Sequence, residues 1–139
     1  MRQHTFEIHG TQEDPLGNPI PKNRMTLRQR WMPKAKRYVG WKWYIQDSYF
    51  RSLGSIDYGV AIRNFRLHKK PIKLEREERA VMDITIYWKD GHHGDPENIF
   101  GSIADALFVN DKHLDGSFQS GHAEDGRGRV EIKISIRDS

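Results

Sequence analysis

The amino-acid sequence predicts an α+β fold of two layers, in which a mixed β-sheet carries helices on one face. Two patterns predict this fold. Apolar and polar residues alternate in Val81–Trp88 and in Arg129–Arg137, as they do in strands with one buried face. In residues 34–53 apolar residues instead recur every three or four positions, which indicates an amphipathic helix. The predicted order is strand, helix, strand, helix, strand, strand.

Weaker patterns place the other strands. Thr5–His9 alternates polar and apolar residues and predicts a short first strand. Residues 113–119 predict a strand that pairs with the last one, because the polar, glycine-rich stretch 120–128 between them is typical of a hairpin loop. Residues 54–75 fit no single pattern, and Gly59–Leu67 is compatible with either a helix or a strand.

A second helix is predicted to begin at Asp95 and to end near Val109–Asn110. Aspartate is a common N-cap residue. Proline is favoured at the next position, because the backbone N–H that it lacks would have no hydrogen-bond partner within the helix. The helix has two apolar edges, formed by Ile99, Ile103 and Leu107 and by Phe100, Ala104 and Phe108. One edge is expected to face the sheet, and either a symmetric dimer contact or the 34–53 helix can cover the other.

Length and composition predict one domain, residues 1–139, with a modest core, since 36% of the residues are hydrophobic. A homodimer would bury more apolar surface. The net charge of +4 favours an anionic partner, and the absence of cysteine excludes disulfides and thiolate zinc sites. No stretch has the length of a signal-peptide core or a membrane span, so we expect a soluble, cytoplasmic protein without a membrane partner.

Acidic residues are concentrated at the second helix of this otherwise basic chain. Asp95, Glu97, Asp105 and Asp111 all lie within residues 94–111. Carboxylates held close together ionise readily only with a cation among them, and their hard oxygens suit Mg²⁺, which retains water molecules that can act as nucleophile. An ordinary helix start would account for Asp95 and Glu97, but not for the whole set.

The spacing of this set resembles that of a known family. The sequence has Asp95-Pro96-Glu97-Asn98, then Asp105-Ala106-Leu107, then Asn110-Asp111. It resembles the RusA-like endodeoxyribonucleases, the Holliday-junction resolvases of bacteriophages and prophages, whose motif is Asp-x-Asp-Asn, a lysine, Asp-Ala-Leu and an acidic pair. The resemblance is strong over residues 94–115 and weaker at Pro19–Arg24 and in the last strand.

The resemblance implies a metal-dependent, structure-selective endodeoxyribonuclease that resolves branched DNA in recombination or repair, as a homodimer with one active site for each of two strands. It implies a location in the cytoplasm of a bacterium or a phage-infected cell. By their position in the motif, the catalytic residues would be Asp95, Glu97, Asn98, Asp105 and Asp111. Mg²⁺, or Mn²⁺ in its place, would bind at Asp95, Glu97 and Asp111.

Three positions depart from the family motif. Glu97 replaces the second aspartate, Asn110 replaces the first acid of the pair, and Gly101 stands where the family has its lysine. The side chains that can supply the missing positive charge are Lys89, Lys112, His92 and His93. Because of Gly101, a non-catalytic DNA-binding protein with the same fold and basic surface stays an alternative, whereas an RNA-binding module would leave the carboxylates unexplained.

A basic stretch precedes the acidic set. From Pro15 to Gln46 there is no acidic residue, and aromatic residues are interleaved with the cations. A run of charge is usually a solvated surface, but one of this length indicates contact with DNA phosphates. The residues predicted to contact DNA are Lys22, Arg24, Arg28, Arg30, Lys69, Lys70 and Lys112.

Replacing Arg24, Arg28 and Arg30 together with alanine is expected to weaken binding to a four-way DNA junction and to flatten its salt dependence. Each lost phosphate contact lowers the slope of log K against log salt by about 0.9. The measurement is a salt titration of junction binding followed by fluorescence anisotropy. An unchanged slope would place the DNA elsewhere on the protein.

Overall fold

The computed structural model describes residues 2–22, 33–54, 70–91 and 94–138. These residues form β1 (Arg2–His9), α1 (Pro33–Leu53), β2 (Glu78–Trp88), α2 (Pro96–Leu107), β3 (Leu114–His122) and β4 (Arg129–Asp138). The predicted α+β class and the order of its elements are confirmed. Neither of the two described helices combines the length and the apolar character that crossing a membrane requires.

The four described strands form one mixed sheet in the order β1-β4-β2-β3. β4 is antiparallel to both β1 and β2, whereas β3 is parallel to β2. Parallel neighbours need a crossover connection, and α2 provides it between β2 and β3. The N-terminal end of α2 therefore lies near the end of β2, and its C-terminal end lies near the start of β3.

The predicted hairpin between the last two strands is wrong. β3 and β4 lie on opposite sides of β2, and their connection passes the end of β2, where the N–H of Ala123 donates to the carbonyl of Trp88 at 2.9 Å. The apolar content of the strands explains this order. β2 buries alternate side chains along its whole length and takes a central position, whereas the polar β3 is exposed and lies at the edge.

The core lies between one face of the sheet and the two helices, as the sequence predicted. The central strand contributes a row of buried side chains, namely Ala80, Met82, Ile84, Ile86 and Trp88. Trp41 and Ile45 of α1 and Ile99, Ile103 and Leu107 of α2 belong to the same apolar cluster, and each is fully buried. Burial of one such side chain contributes about 1.5–3 kcal/mol, so the helices are held mainly by these contacts.

Gly40 lies inside α1, where glycine normally weakens a helix by about 1 kcal/mol. The turn after β1 explains its presence. The side chain of Gln12 crosses the helix there, and its Nε2 donates to the carbonyl of Arg37 at 3.2 Å. A Cβ atom at position 40 would lie only 2.7 Å from that nitrogen, so a larger residue would displace Gln12.

α2 begins as predicted but ends earlier. Asp95 is the N-cap, its carboxylate accepts from the N–H of Glu97, and Pro96 opens the helix. The helix stops at Leu107 because the next residues turn to the segment around Ile72. The N–H of Ile72 donates to the carbonyl of Leu107 at 2.8 Å, and the N–H of Val109 donates back to Ile72 at 2.9 Å.

The second apolar edge of α2 is largely covered within the chain. Ala104 and Phe108 are buried, so only Phe100 on this edge remains half-exposed. Two of the three side chains that suggested a dimer contact at this edge therefore already have neighbours. The homodimer itself stays a prediction.

Polar contacts fix how α1 packs on α2. The indole N–H of Trp41 donates to the hydroxyl of Ser102 at 3.0 Å, and this hydroxyl donates to the carbonyl of Ile99 at 2.7 Å. One turn further along, the Nε2 of Gln46 donates to the carbonyl of Ala106 at 2.9 Å. All of these donors are buried, so each bond avoids the penalty of a polar group without a partner.

Ser102→Ala leaves the buried indole N–H of Trp41 without its acceptor and is expected to lower the free energy of unfolding by about 1–3 kcal/mol. In a Trp41→Phe background the same change should cost clearly less, because no indole N–H remains to be satisfied. Urea denaturation of the four proteins of this double-mutant cycle measures the difference. Equal costs in both backgrounds would show that the bond does not hold the helices together.

Candidate functional site

Asp95, Glu97 and Asn98 lie together at the N-terminal end of α2. The Oδ1 of Asp95 accepts from the N–H of Glu97 at 2.9 Å, and all three side chains are exposed. The positive end of the helix dipole favours negative charge at this place. Asp95 and Glu97 are thus two exposed carboxylates at the start of α2.

Asp105 lies on the face of α2 that meets α1, and its carboxylate has three partners. The hydroxyl of Tyr38 donates to Oδ2 at 3.0 Å, and the Nζ of Lys42 lies 3.3 Å from the same oxygen. The Nζ of Lys70 lies 3.3 Å from Oδ1. Only 26% of the Asp105 side chain is exposed, so this carboxylate serves mainly to join α1, α2 and the segment at Lys70.

The surroundings of Asp105 decide its charge. Burial disfavours the carboxylate and by itself would raise its pKa, but Lys42, the Tyr38 hydroxyl and Lys70 outweigh burial and hold the pKa below its ordinary value of 3.8. Burial and the neighbouring carboxylate raise the pKa of Tyr38, so its hydroxyl stays a donor. Asp105 is therefore an anion whose charge the chain itself already compensates.

A cavity of about 150 Å³ lies at the C-terminal end of α2. Five polar residues line it, together with Ala104, Phe108 and Val109; the five are Lys22, Lys70, Asp105, Asn110 and Asp111. All five were singled out from the sequence, Asn110 as a departure from the family motif. The cavity thus combines two lysines with two carboxylates, and one of the lysines, Lys70, is paired with Asp105.

Lys22 reaches this cavity because its segment runs along α2. Its N–H donates to the carbonyl of Asn98 at 2.9 Å, and its Cδ lies 3.4 Å from where a Cβ atom of Gly101 would be. The side chain of a lysine from a distant part of the chain therefore passes Gly101, the position at which the RusA-like motif has its lysine. Sequence spacing carries no signal for this contact, since it depends on tertiary packing. Lys89, an earlier candidate, instead pairs with Asp14 at 3.4 Å.

The structure does not bring Asp95 and Glu97 to Asp111 within one chain. At a rise of 1.5 Å per residue, the helix between these two groups spans about 20 Å. Among the residues that the structure describes, no three histidine or acidic side chains are close enough to hold a metal together. The metal set predicted from the sequence is thus divided between the two ends of α2.

Several predicted residues lie outside the described part of the chain; these are Arg24, Arg28, Arg30, Lys69, His92 and His93. Of the other predicted DNA contacts, Lys22 and Lys70 line the cavity and Lys112 is exposed just beyond it.

The sequence matches no model of a known protein family, and no curated protein is significantly similar to it. A functional proposal therefore depends on the residues of this chain and on their placement.

Asp105→Asn is expected to lower the free energy of unfolding by about 2 kcal/mol near neutral pH, because the ionic partners of the carboxylate lose their counter-charge. Since the folded pKa of Asp105 is lowered, its stabilisation is complete above its ordinary pKa of 3.8 and is lost as the pH falls through the folded value. The two proteins should therefore converge in stability in acid.

Chemical denaturation of both proteins at several pH values measures this difference. Asp111→Asn is the matched control, because that side chain is exposed and its replacement should change stability by no more than about 0.5 kcal/mol. A difference between Asp105→Asn and the parent that does not depend on pH would contradict the ionic role of Asp105.

Proposed function

We propose that the protein is a metal-dependent endodeoxyribonuclease that cleaves branched DNA such as four-way junctions, in recombination or repair. One observation carries the proposal. A single helix presents exposed carboxylates at both ends, and lysines from two distant segments gather at its C-terminal end. Acids that suit a hard metal beside cations that suit phosphate are the combination that phosphodiester hydrolysis needs.

The residues at the N-terminal end of α2 fit Mg²⁺ or Mn²⁺. In nucleic-acid enzymes Mg²⁺ is commonly held by one or two carboxylates together with phosphate oxygens of the substrate. Asp95 and Glu97 would supply the carboxylates, and their exposure leaves room for DNA. The metal would activate water and offset the charge that develops on the phosphate.

In this proposal the lysines of the cavity bind the DNA backbone. Lys22 and Lys70 line the same cavity, and Lys112 is exposed next to Asp111 in the chain, so this end of α2 would offer three cations to the phosphates of DNA. Asp105 holds Lys70 in place through their ion pair. In this proposal Asp105 is a positioning residue, while Asp111, exposed at the edge of the cavity, is a candidate ligand.

A second candidate function is that of a DNA-binding protein without catalysis. Two observations favour it: position 101 carries no charge of its own, and within the described ranges no three acidic or histidine side chains converge. The same lysines would bind DNA in this case. Only a test of cleavage separates the two candidates.

The parent protein is expected to introduce paired nicks into a synthetic four-way junction when Mg²⁺ or Mn²⁺ is added. Asp95→Asn and Asp111→Asn should each abolish nicking and retain junction binding, because each removes negative charge and leaves the basic surface intact. Denaturing gels measure nicking, and fluorescence anisotropy measures binding.

Glu124→Gln is a suitable control, since this carboxylate is exposed and lies away from α2 in the sequence. It should cleave like the parent. Cleavage at the parent's rate by Asp95→Asn or Asp111→Asn would refute the acidic site. A parent protein that binds junctions and nicks none of them with either metal would establish the second candidate.

A further inference from the structure

The two lysines that line the cavity at the C-terminal end of α2 differ in their partners. The Nζ of Lys70 lies 3.3 Å from Oδ1 of Asp105, so its charge is already offset by the chain. The exposed Lys22 forms no ion pair with any acidic residue that the structure describes. Lys22 is therefore the lysine of this cavity whose charge is available to a ligand.

The side chain of Lys22 reaches the cavity across a glycine of α2. The hydrogen bond from its N–H to the carbonyl of Asn98 fixes its backbone against the helix. A Cβ atom at position 101 would lie 3.8 Å from the Cβ of Lys22 and 3.4 Å from its Cδ, so the lysine stem lies against the bare backbone of Gly101. Glycine weakens a helix interior by about 1 kcal/mol relative to alanine. Space for the stem of Lys22 explains why α2 has a glycine here.

The cavity itself is small and contains an acid without an ionic partner. Its volume is about 150 Å³, whereas cavities that hold whole small molecules measure about 300–1,000 Å³. It therefore has room for a group of the size of a phosphate, but not for a whole nucleotide. Asp111 also lines the cavity and, like Lys22, forms no ion pair within the described ranges. An available cation and an available carboxylate thus line the same small space.

We propose that this cavity binds the phosphate group that is cleaved, and that Lys22 is a catalytic residue whose ammonium contacts a phosphate oxygen. The inference rests on the proposed nuclease function. Two neighbouring anions repel each other unless a cation lies between them, so a phosphate beside Asp111 requires the divalent ion for which Asp111 is a candidate ligand. A phosphate that meets both this ion and Lys22 is the one at which the ester bond breaks.

The role of Lys22 in this reaction is to compensate charge. In hydrolysis the oxygen of a water molecule bonds to phosphorus and one P–O ester bond breaks. One proton of the water ends on the leaving oxygen, and the other stays on the new phosphate or passes to solvent. Lys22 keeps its own protons throughout. Its ammonium offsets the negative charge on the phosphate oxygens in the transition state, and loss of one such donor typically slows an enzyme by about 10²–10³-fold.

Lys22→Ala should slow cleavage more than it weakens binding. With protein in excess over a synthetic four-way junction and Mg²⁺ present, the rate of nicking should fall by about 10²–10³-fold. Without metal, the slope of log K against log salt should fall by about 0.9, the value for one phosphate contact. Lys133→Ala is the matched control and should cleave like the parent. Lys133 is exposed on β4 between the buried Ile132 and Ile134, so it points away from the helices.

Moving the lysine to position 101 tests the geometry. In the double variant with Lys22→Ala and Gly101→Lys, the new stem starts in the groove that Lys22 has vacated and extends towards the same cavity. Nicking should therefore recover much of the lost rate. The double variant with Lys22→Ala and Gly101→Met is the matched control, because methionine is unbranched and flexible but carries no charge, and it should not recover. Urea denaturation of every variant verifies that each is folded before rates are compared.

The outcomes separate the role of Lys22 from the proposed function. If the parent nicks junctions and Lys22→Ala nicks them at the same saturated rate, the catalytic role of Lys22 is wrong and the proposed function stands. Equal recovery with methionine and with lysine at position 101 would likewise contradict a role for the charge. A parent that binds junctions and nicks none of them with Mg²⁺ or Mn²⁺ refutes the proposed function, and the catalytic role of Lys22 with it.

Discussion

The half-buried carboxylate of Asp105 is the point through which the parts of the candidate site are joined. A charge with limited access to water needs partners, and these come from α1, through Tyr38 and Lys42, and from the segment before β2, through Lys70. The same contacts join α2 to α1 and set one wall of the cavity. Lys70 points into that cavity because Asp105 holds it there, so the electrostatics of the core and of the surface depend on each other.

The length of α2 keeps the two groups of candidate residues apart. A helix of twelve residues keeps its two ends apart, and the ends differ in character: two exposed acids at the N-cap, a mixed set of lysines and acids at the other end. Within one chain the acidic residues of this region are therefore divided into two separate groups.

Local signals in the sequence were sufficient for some features and not for others. The alternation of β2, the periodicity of α1 and the Asp95-Pro96 start of α2 each depend on neighbours in the chain, and the structure agrees with all three. The order of the strands depends on how apolar each strand is relative to the others, because the most apolar strands take the central positions. The predicted pairing of the last two strands assumed that sequential strands are neighbours, and this assumption was wrong. The contact of Lys22 with Gly101 and the partners of Asp105 join distant segments, so no spacing in the sequence could indicate them.

The structure also separates the motif residues that packing explains from those that it does not. Within Asp105-Ala106-Leu107, Asp105 binds α1, Ala106 is buried where its carbonyl meets Gln46, and Leu107 is in the core. Asn110 accepts from the N–H of Lys112 and shapes a turn. A helix that packs as α2 does would favour these residues at these positions whether or not the protein is an enzyme. Glu97, Asn98 and Asp111 are exposed, and packing among the described residues does not require their identities. These three positions are therefore the ones whose identities most favour a chemical role, whereas packing accounts for Asp105.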